Sequence, residues 1–456
     1  MTYDEALAFW FGRVNYESAV PQLDDLKLDR MRHLLARLGN PQDRLRIIHV
    51  AGSKGKGSTS AMLANILQLA GYRTGLFTSP HLTQVEERIQ IDRQPISPPE
   101  LTVRLNEIRR VIEDPSHGPR IEPTFFEVAT ALGFLHFANQ EVDAAVIEVG
   151  LGGRFDSTNV CWPLVAIITS ISFDHVELLG HHLASIAMEK AGIVKPGCPT
   201  VSGATAPEAR RTIEAICRRR GSPLKQLEKD FHFQYESGQV VPCEDSSETP
   251  SRSEFLFQKP RVRIASDQNI WPSMNLALMG EHQAANAAVA VSCVEQLREQ
   301  GLPIADTAVA RGLANVAWPA RLEVFGGRPL VVLDCAHNLA SIHALIDTLQ
   351  QSFPPSRRWL IFAGSSDKDL SGMLQLLAPV FSGAFLTRYS GSKRALPPEQ
   401  LAPLAASHGL PCTVYSSPQE AWHAARRSAA VTDLICITGS VFLAGEIRPL
   451  LLIQEE

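Results

Sequence analysis

Leu45-Arg46-Ile47-Ile48-His49-Val50-Ala51-Gly52-Ser53-Lys54-Gly55-Lys56-Gly57-Ser58 carries an apolar run straight into a glycine-rich loop. Leu45 to Val50 reads as a buried strand, and the residues after the loop read as a helix over about Ser58 to Ala70. Met62, Ile66 and Leu69 share one face there at i, i+4, i+7 spacing, and Gly71 is a natural helix stop. Strand, glycine loop, helix is the context in which backbone N–H groups are aimed at phosphate oxygens, with the positive end of the helix behind them. A lysine such as Lys56 reaches terminal phosphates, and a hydroxyl such as Ser58 holds magnesium. The spacing departs from the common G-x-x-x-x-G-K-[ST] loop, since two residues separate Gly52 from Gly55-Lys56 and Gly57 precedes Ser58. A plain Gly/Ser turn is the competing reading of the loop taken alone.

Outward from this loop the same alternation recurs. Asp143 to Glu148 and Leu164 to Thr169 read as strands buried on both faces, which in alternation with helices indicates a mainly parallel sheet covered on both sides. Residues 231–267 are polar and include Glu244-Asp245-Ser246-Ser247-Glu248-Thr249-Pro250-Ser251, the pattern of a hairpin with a mobile tip. After Trp318-Pro319 the alternation restarts, with strands expected at Leu330 to Leu333, Trp359 to Phe362, Ala384 to Thr387 and Leu434 to Ile437. The expectation is an α/β protein: a first domain over residues 1–317 and a smaller α/β domain over residues 318–456. In open α/β sheets ligands gather beyond the carboxyl ends of strands, where the unusual residues fall.

The chain has 456 residues, 45% of them hydrophobic and 20% charged, with a net charge of -5. It lacks the basic stripe of a nucleic-acid binder, an apolar run long enough to span a membrane, and a secretory start. Its eight cysteines form no C-x-x-C pair, which points to reduced thiols and a cytoplasmic enzyme.

Five further segments stand at the ends of strands or helices. Glu148 closes a buried strand, where a carboxylate needs a partner, and magnesium is a natural one. Gly150-Leu151-Gly152-Gly153-Arg154 has the wrong spacing for a dinucleotide fingerprint and reads as a wide turn. Asp174-His175 reads as a satisfied polar turn or as ligands, and Lys190, before Gly192, as a cation at a helix C-terminus. Asp334-Cys335-Ala336-His337-Asn338 either caps a helix or meets a nucleotide.

Taken together, nine segments resemble, in order, the folylpolyglutamate synthase/dihydrofolate synthase family of the Mur-ligase group. They are His49 to Ser58, Thr78 to Leu82, Thr124 to Glu127, Glu148 to Arg154, Asp174-His175, Glu189 to Gly192, Gly280 to Ala287, Trp318 to Glu323 and Asp334 to Asn338. The resemblance implies a P-loop Mur-ligase-type ATPase domain followed by a Rossmann-like domain, and a monomer. It implies that Gly52, Ser53, Lys54, Gly55, Lys56, Gly57 and Ser58 hold ATP, with Asn286, Arg321, Asp334 and His337 also on the nucleotide. Ser58, Ser79, Glu148 and His175 would bind two magnesium ions with Lys190, which the resemblance makes a carbamate and thereby overrides its local reading. Lys56, Lys190, His175 and Arg321 would serve catalysis. Thr124, Phe125, Phe126, Glu127, Phe155, Asp156 and Ser157 would line the pterin pocket. Two departures are Ser53-Lys54, where many bacterial members have Thr-Asn, and Cys335 and Leu339, where Gly and Pro are usual. A Cys cannot enter φ > 0 as glycine does, so the nucleotide loop is expected to follow a different path.

The implied chemistry is ATP-dependent amide formation. A pterin carboxylate of dihydropteroate or folate is phosphorylated, and L-glutamate attacks the acyl phosphate. Closure of the two domains would exclude water. A Mur-type ligase acting on a cell-wall precursor is an alternative. Against it stand Thr124 to Glu127, Gly150 to Arg154, and the lack of a nucleotide-sugar domain before the loop. A P-loop NTPase that hydrolyses ATP without ligation is a third reading, opposed by the second domain and Lys190.

Overall fold

The computed structural model describes residues 1–16, 27–114, 116, 121–174, 176–242, 255–353, 357–390, 392 and 394–453. They divide into two compact units. The first comprises residues 1–234, 263–274 and 285–316, and the second residues 235–262, 275–284 and 317–456. One division falls between Val316 and Ala317. Residues 235–262 and 275–284, by contrast, group with the second unit although they precede it in the chain.

The first unit is built on eight strands: β1 (Ile47–Ala51), β2 (Thr74–Phe77), β3 (Ile89–Ile91), β4 (Gln94–Pro95), β5 (Ala144–Glu148), β6 (Pro163–Ile168), β7 (Thr200–Ser202) and β8 (Leu224–Gln226). Their order is β4-β3-β2-β5-β1-β6-β7-β8. Pairing is parallel from β2 to β8, and β3 and β4 add an antiparallel edge. Every residue of β1 and of β5 is buried, which is why both read as unbroken apolar runs. Because β1 lies between β5 and β6 and all three run parallel, the loops after them gather at one end of the sheet. The register sets Val50 beside Glu148 and Ala51 beside Ile168.

The helix after β1 spans Lys56–Leu69, with Gly71 at φ 94° just beyond it. It lies close against the Asp306–Asn315 helix, where Asn65 Nδ2 donates to the Gly312 carbonyl at 2.7 Å. The Phe125–Asn139 helix is buried almost all round. Trp10 stacks on Phe125 with ring centroids 5.1 Å apart, in a core shared with Phe77, Phe134 and Phe137.

Further strands are β9 (Phe231–Glu236), β10 (Gln239–Pro242), β11 (Phe255–Gln258), β12 (Arg261–Ser266) and β13 (Met274–Asn275). β10 and β11 pair antiparallel, so the polar stretch is flanked by a hairpin; its tip lies outside the described residues. The second unit's main sheet contains β14 (Glu323–Phe325), β15 (Leu330–Leu333), β16 (Arg358–Phe362), β17 (Gly383–Leu386), β18 (Cys412–Val414) and β19 (Leu434–Thr438). Its order is β14-β15-β19-β16-β17-β18, parallel except for β14. Among the described residues no helix is long and apolar enough to cross a membrane.

Candidate active site

The loop after β1 owes its path to two glycines. Gly52 has φ 150°, and a Cβ there would lie 1.9 Å from Thr169 Oγ1. Gly55 has φ 84°, and a Cβ there would lie 2.1 Å from Asn286 Oδ1. Only glycine combines these angles with this closeness. The next strand's loop supports this one from the side. Ser53 N donates to Ser170 O at 2.7 Å, and Ser53 Oγ donates to Ser172 O at 2.9 Å. Thr169 Oγ1 and Ser170 Oγ both donate to the Lys54 carbonyl, at 2.6 and 3.0 Å. Gly55 caps the helix that starts at Lys56 without a side-chain hydrogen bond, so the first-turn N–H groups are available to an anion.

Three lysines gather here. Lys56 Nζ donates to Gly52 O at 3.2 Å, and Lys190 Nζ donates to the same oxygen at 3.0 Å. Lys54 Nζ pairs with Asp174 at 2.8 Å. Lys190 is the last residue of the Leu183–Lys190 helix, as its local reading had it, yet it is 4% exposed. Its burial, reinforced by Lys56 and then Lys54 against the pull of Asp174, depresses its pKa to about 7. The Gly150 to Arg154 turn packs on the end of this helix: Arg154 N donates to Glu189 O at 2.8 Å. A Cβ at Gly153 would lie 2.8 Å from the Lys190 carbonyl.

Glu148, buried at the end of β5, accepts from Ser79 N at 3.2 Å. Ser58 is buried in the first turns of the helix. A buried carboxylate and a buried hydroxyl are the kinds of oxygen donor that magnesium takes together with phosphate oxygens. Among the described residues no group of three or more His, Cys, Asp or Glu converges. His175 lies outside the described residues.

The segments matched to the pterin pocket divide by exposure. Thr124 caps the Phe125–Asn139 helix, and its side chain and that of Glu127 close a capping box. Glu127 also pairs with Arg30 at 2.6 Å, and Phe125 is core. These three therefore fix the helix start rather than form a surface. Phe126 lies against Gly150, where a Cβ would come within 2.4 Å of its ring. Phe155 is 40% exposed, with the Arg154 guanidinium 4.7 Å from its ring centroid. Ser157 Oγ meets Thr130 Oγ1 at 2.7 Å. Asp156 is buried and caps the short turn Ser157–Val160.

In the second unit Asp334 is buried and accepts from Leu322 N at 3.0 Å and Ala336 N at 2.7 Å. Burial pushes its carboxyl up, while Arg321 and the two N–H groups oppose this. His337 Nδ1 lies 2.8 Å from Cys335 O. Cys335 is not among the residues with positive φ. A cysteine therefore fits the backbone at that position. Ala320 and Leu322 take positive φ instead, at 54° and 49°. Sequence reasoning missed the clamp formed by Thr169, Ser170 and Ser172. Its trace is the hydroxyl-rich run directly after an apolar strand.

Two family models match: the Mur ligase middle domain over residues 50–294 and the Mur ligase, glutamate ligase domain over residues 320–441. Dihydrofolate synthase/folylpolyglutamate synthase of Bacillus subtilis is 34% identical over 448 residues, covering 98% of each chain. Folylpolyglutamate synthase of Lacticaseibacillus casei is 36% identical over 430 residues, covering 93% of this chain and 94% of its own. Among solved structures, Mycobacterium tuberculosis folylpolyglutamate synthase complexed with ADP has a TM-score of 0.84 at 32% identity, covering 98% of both chains. Escherichia coli FolC in complex with DHPP and ADP has a TM-score of 0.84 at 26% identity, covering 100% of this chain and 99% of its own. With a glycine-built loop after β1, two lysines on one carbonyl and these relatives along nearly its whole length, the chain belongs to the dihydrofolate synthase/folylpolyglutamate synthase family of Mur ligases.

Proposed function

We propose that this protein is an ATP-dependent ligase that joins L-glutamate to the carboxylate of a pterin-bearing acceptor, dihydropteroate or a folate. The observation that carries the reading is the convergence of Lys56 and Lys190 on the Gly52 carbonyl inside the phosphate loop. Phosphoryl transfer asks chiefly for positioning and charge stabilisation. The loop N–H groups and Lys56 supply both for the β- and γ-phosphates. The acceptor carboxylate takes the γ-phosphoryl, the glutamate amine attacks the resulting acyl phosphate, and phosphate leaves. Magnesium, held by Ser58 and Glu148, would neutralise phosphate charge when bound; Ser79 and His175 complete the assigned set.

Lys190 is assigned a carbamate. Only a neutral amine adds carbon dioxide, and burial beside Lys56 holds the Lys190 pKa at about 7, so free amine is present near neutrality. Carbamylation converts a third cation at the loop into an anion able to share a metal. Phe126 and Phe155 are assigned the flat pterin ring, which suits aromatic faces. Asn286 abuts Gly55 of the loop, and Arg321, Asp334 and His337 are the nucleotide residues assigned to the second unit.

The deciding experiment is an ADP-release assay with ATP, magnesium and L-glutamate, comparing dihydropteroate with a reduced folate monoglutamate. Glutamate-dependent release with either acceptor is expected. Release indifferent to amino acids means an NTPase, and release only with a cell-wall precursor means another Mur ligase.

A further inference from the structure

A chain of buried polar groups links β1 to the turn that carries Phe155, and two of its members, His49 and Thr158, have no part in the roles above. His49 lies in β1, three residues before Gly52, and is fully buried. Its Nε2 is 2.8 Å from Thr158 Oγ1, which in turn donates to Asp156 Oδ1 at 2.5 Å. Asp156 also accepts from Thr158 N at 3.0 Å and Leu151 N at 2.9 Å. Proton directions follow from this count. The aspartate is surrounded by donors, so the Thr158 proton points to it, and the Thr158 oxygen must accept from His49 Nε2–H. His49 Nδ1 is left facing Cys161 Sγ at 3.9 Å. Complete burial keeps the ring neutral, with its pKa lowered to about 3.

A histidine in the middle of an apolar central strand costs free energy unless it is satisfied. Here its short hydrogen bond goes to the turn that carries Phe155, and Cys161 Sγ makes only a long contact with the other ring nitrogen. That turn spans Gly150 to Asn159. Apart from this chain, it is held at Arg154 by the Glu189 carbonyl, at Ser157 by Thr130, and at Asn159 by Lys195 and the Gly192 carbonyl. The polar chain is its only tie, among the described hydrogen bonds, to the strand that delivers the phosphate loop.

We propose that His49 and Thr158 are positioning residues for the acceptor substrate. Acting through Asp156, they hold the Gly150 to Asn159 turn in register with the phosphate loop. The inference rests on the ligase reading and deepens it: Asp156 serves the pterin side from beneath, as the terminus of a buried anchor.

The test compares Thr158→Val, which keeps the shape and deletes the hydroxyl, with Thr158→Ser, which keeps the hydroxyl. Thr158→Val should raise KM for the acceptor about tenfold, the effect of one lost buried hydrogen bond, with KM for ATP unchanged within about twofold. Thr158→Ser should restore the acceptor KM. Equal rises in both KM values, a loss confined to kcat, or a serine variant as impaired as valine would each overturn the proposal. Should Thr158→Val fail to fold, His49→Leu and His49→Gln form the same pair, because glutamine retains a donor and leucine does not. Failure of the ligase reading would show separately, as wild-type ADP release that ignores glutamate. The anchor would then be read by amide hydrogen exchange: Thr158→Val should speed exchange at Leu151 and Thr158 and leave residues 53–58 unchanged. Unchanged exchange at Leu151 would reject it.

Discussion

Two turns at strand ends solve the same backbone problem differently. The loop from Gly52 to Ser58 bends through glycines at φ 150° and 84°. The turn at Ala320 to Leu322 bends through two side-chain-bearing residues at φ 54° and 49°, a conformation that costs roughly 1–2 kcal/mol per residue. Carboxylates offset that cost. Ala320 N donates to Glu323 Oε2 at 2.9 Å, and Leu322 N donates to Asp334 Oδ2 at 3.0 Å. Glu323 is in turn gripped by the Arg448 guanidinium at 2.8 Å. Among the described hydrogen bonds the glycine loop spends none of its first-turn helix N–H groups, which suits the anion-binding role proposed for it. The carboxylate-held turn spends the N–H groups of Ala320 and Leu322 on its own carboxylates.

Three experiments break or sharpen this contrast. The largest effect is expected at Lys190, on which the chemistry of the glycine loop leans. Lys190→Ala should lower kcat on the order of 100- to 1,000-fold, the scale of losing a preorganised charge, measured as glutamate-dependent ADP release. Full activity would refute the carbamate assignment. Next, Asp334→Asn replaces one acceptor of two backbone N–H groups by an NH2. It should destabilise the second unit by about 2 kcal/mol in denaturant titrations, and a change near zero would mean that the turn holds itself. The smallest effects come from exchanging the two backbone solutions. Gly52→Ala should raise KM for ATP at least about tenfold, because its Cβ would collide with Thr169. Ala320→Gly should shift stability by less than about 1 kcal/mol, since relief of strain is cancelled by added unfolded-state entropy. Equal behaviour of the pair would erase the distinction drawn here.

The contrast also explains what was legible in the sequence. Glycine and lysine at a strand–helix junction are a local signal, and β1 and β5 are five-residue, largely apolar runs. Short strands such as β7, β8 and β18 have three residues each, too few to show a period. Asp334 reads locally as a helix cap or a nucleotide contact, because its partner Leu322 is twelve residues away and the bond depends on β14 pairing with β15. Lys190 is ambiguous for the same reason. Its position at a helix end is local, but its burial against Gly52 is not. The His49 anchor left no trace, since one histidine in an apolar strand carries no pattern. Glu127, matched to the pocket by resemblance, serves a capping box that its Thr-x-x-Glu spacing already spelled out.

The division of the chain has a consequence for how the protein is made. Residues 235–262 belong to the second unit, yet residues 263–274 and 285–316 return to the first. A ribosome releasing the chain from its N-terminus therefore completes neither unit in one uninterrupted stretch. The β10–β11 hairpin emerges before the first unit is finished and must wait for the sheet that begins at Glu323. Folding domain by domain during synthesis is thus interleaved here. A cut at residue 317 would give two fragments, one carrying orphaned segments and the other missing them.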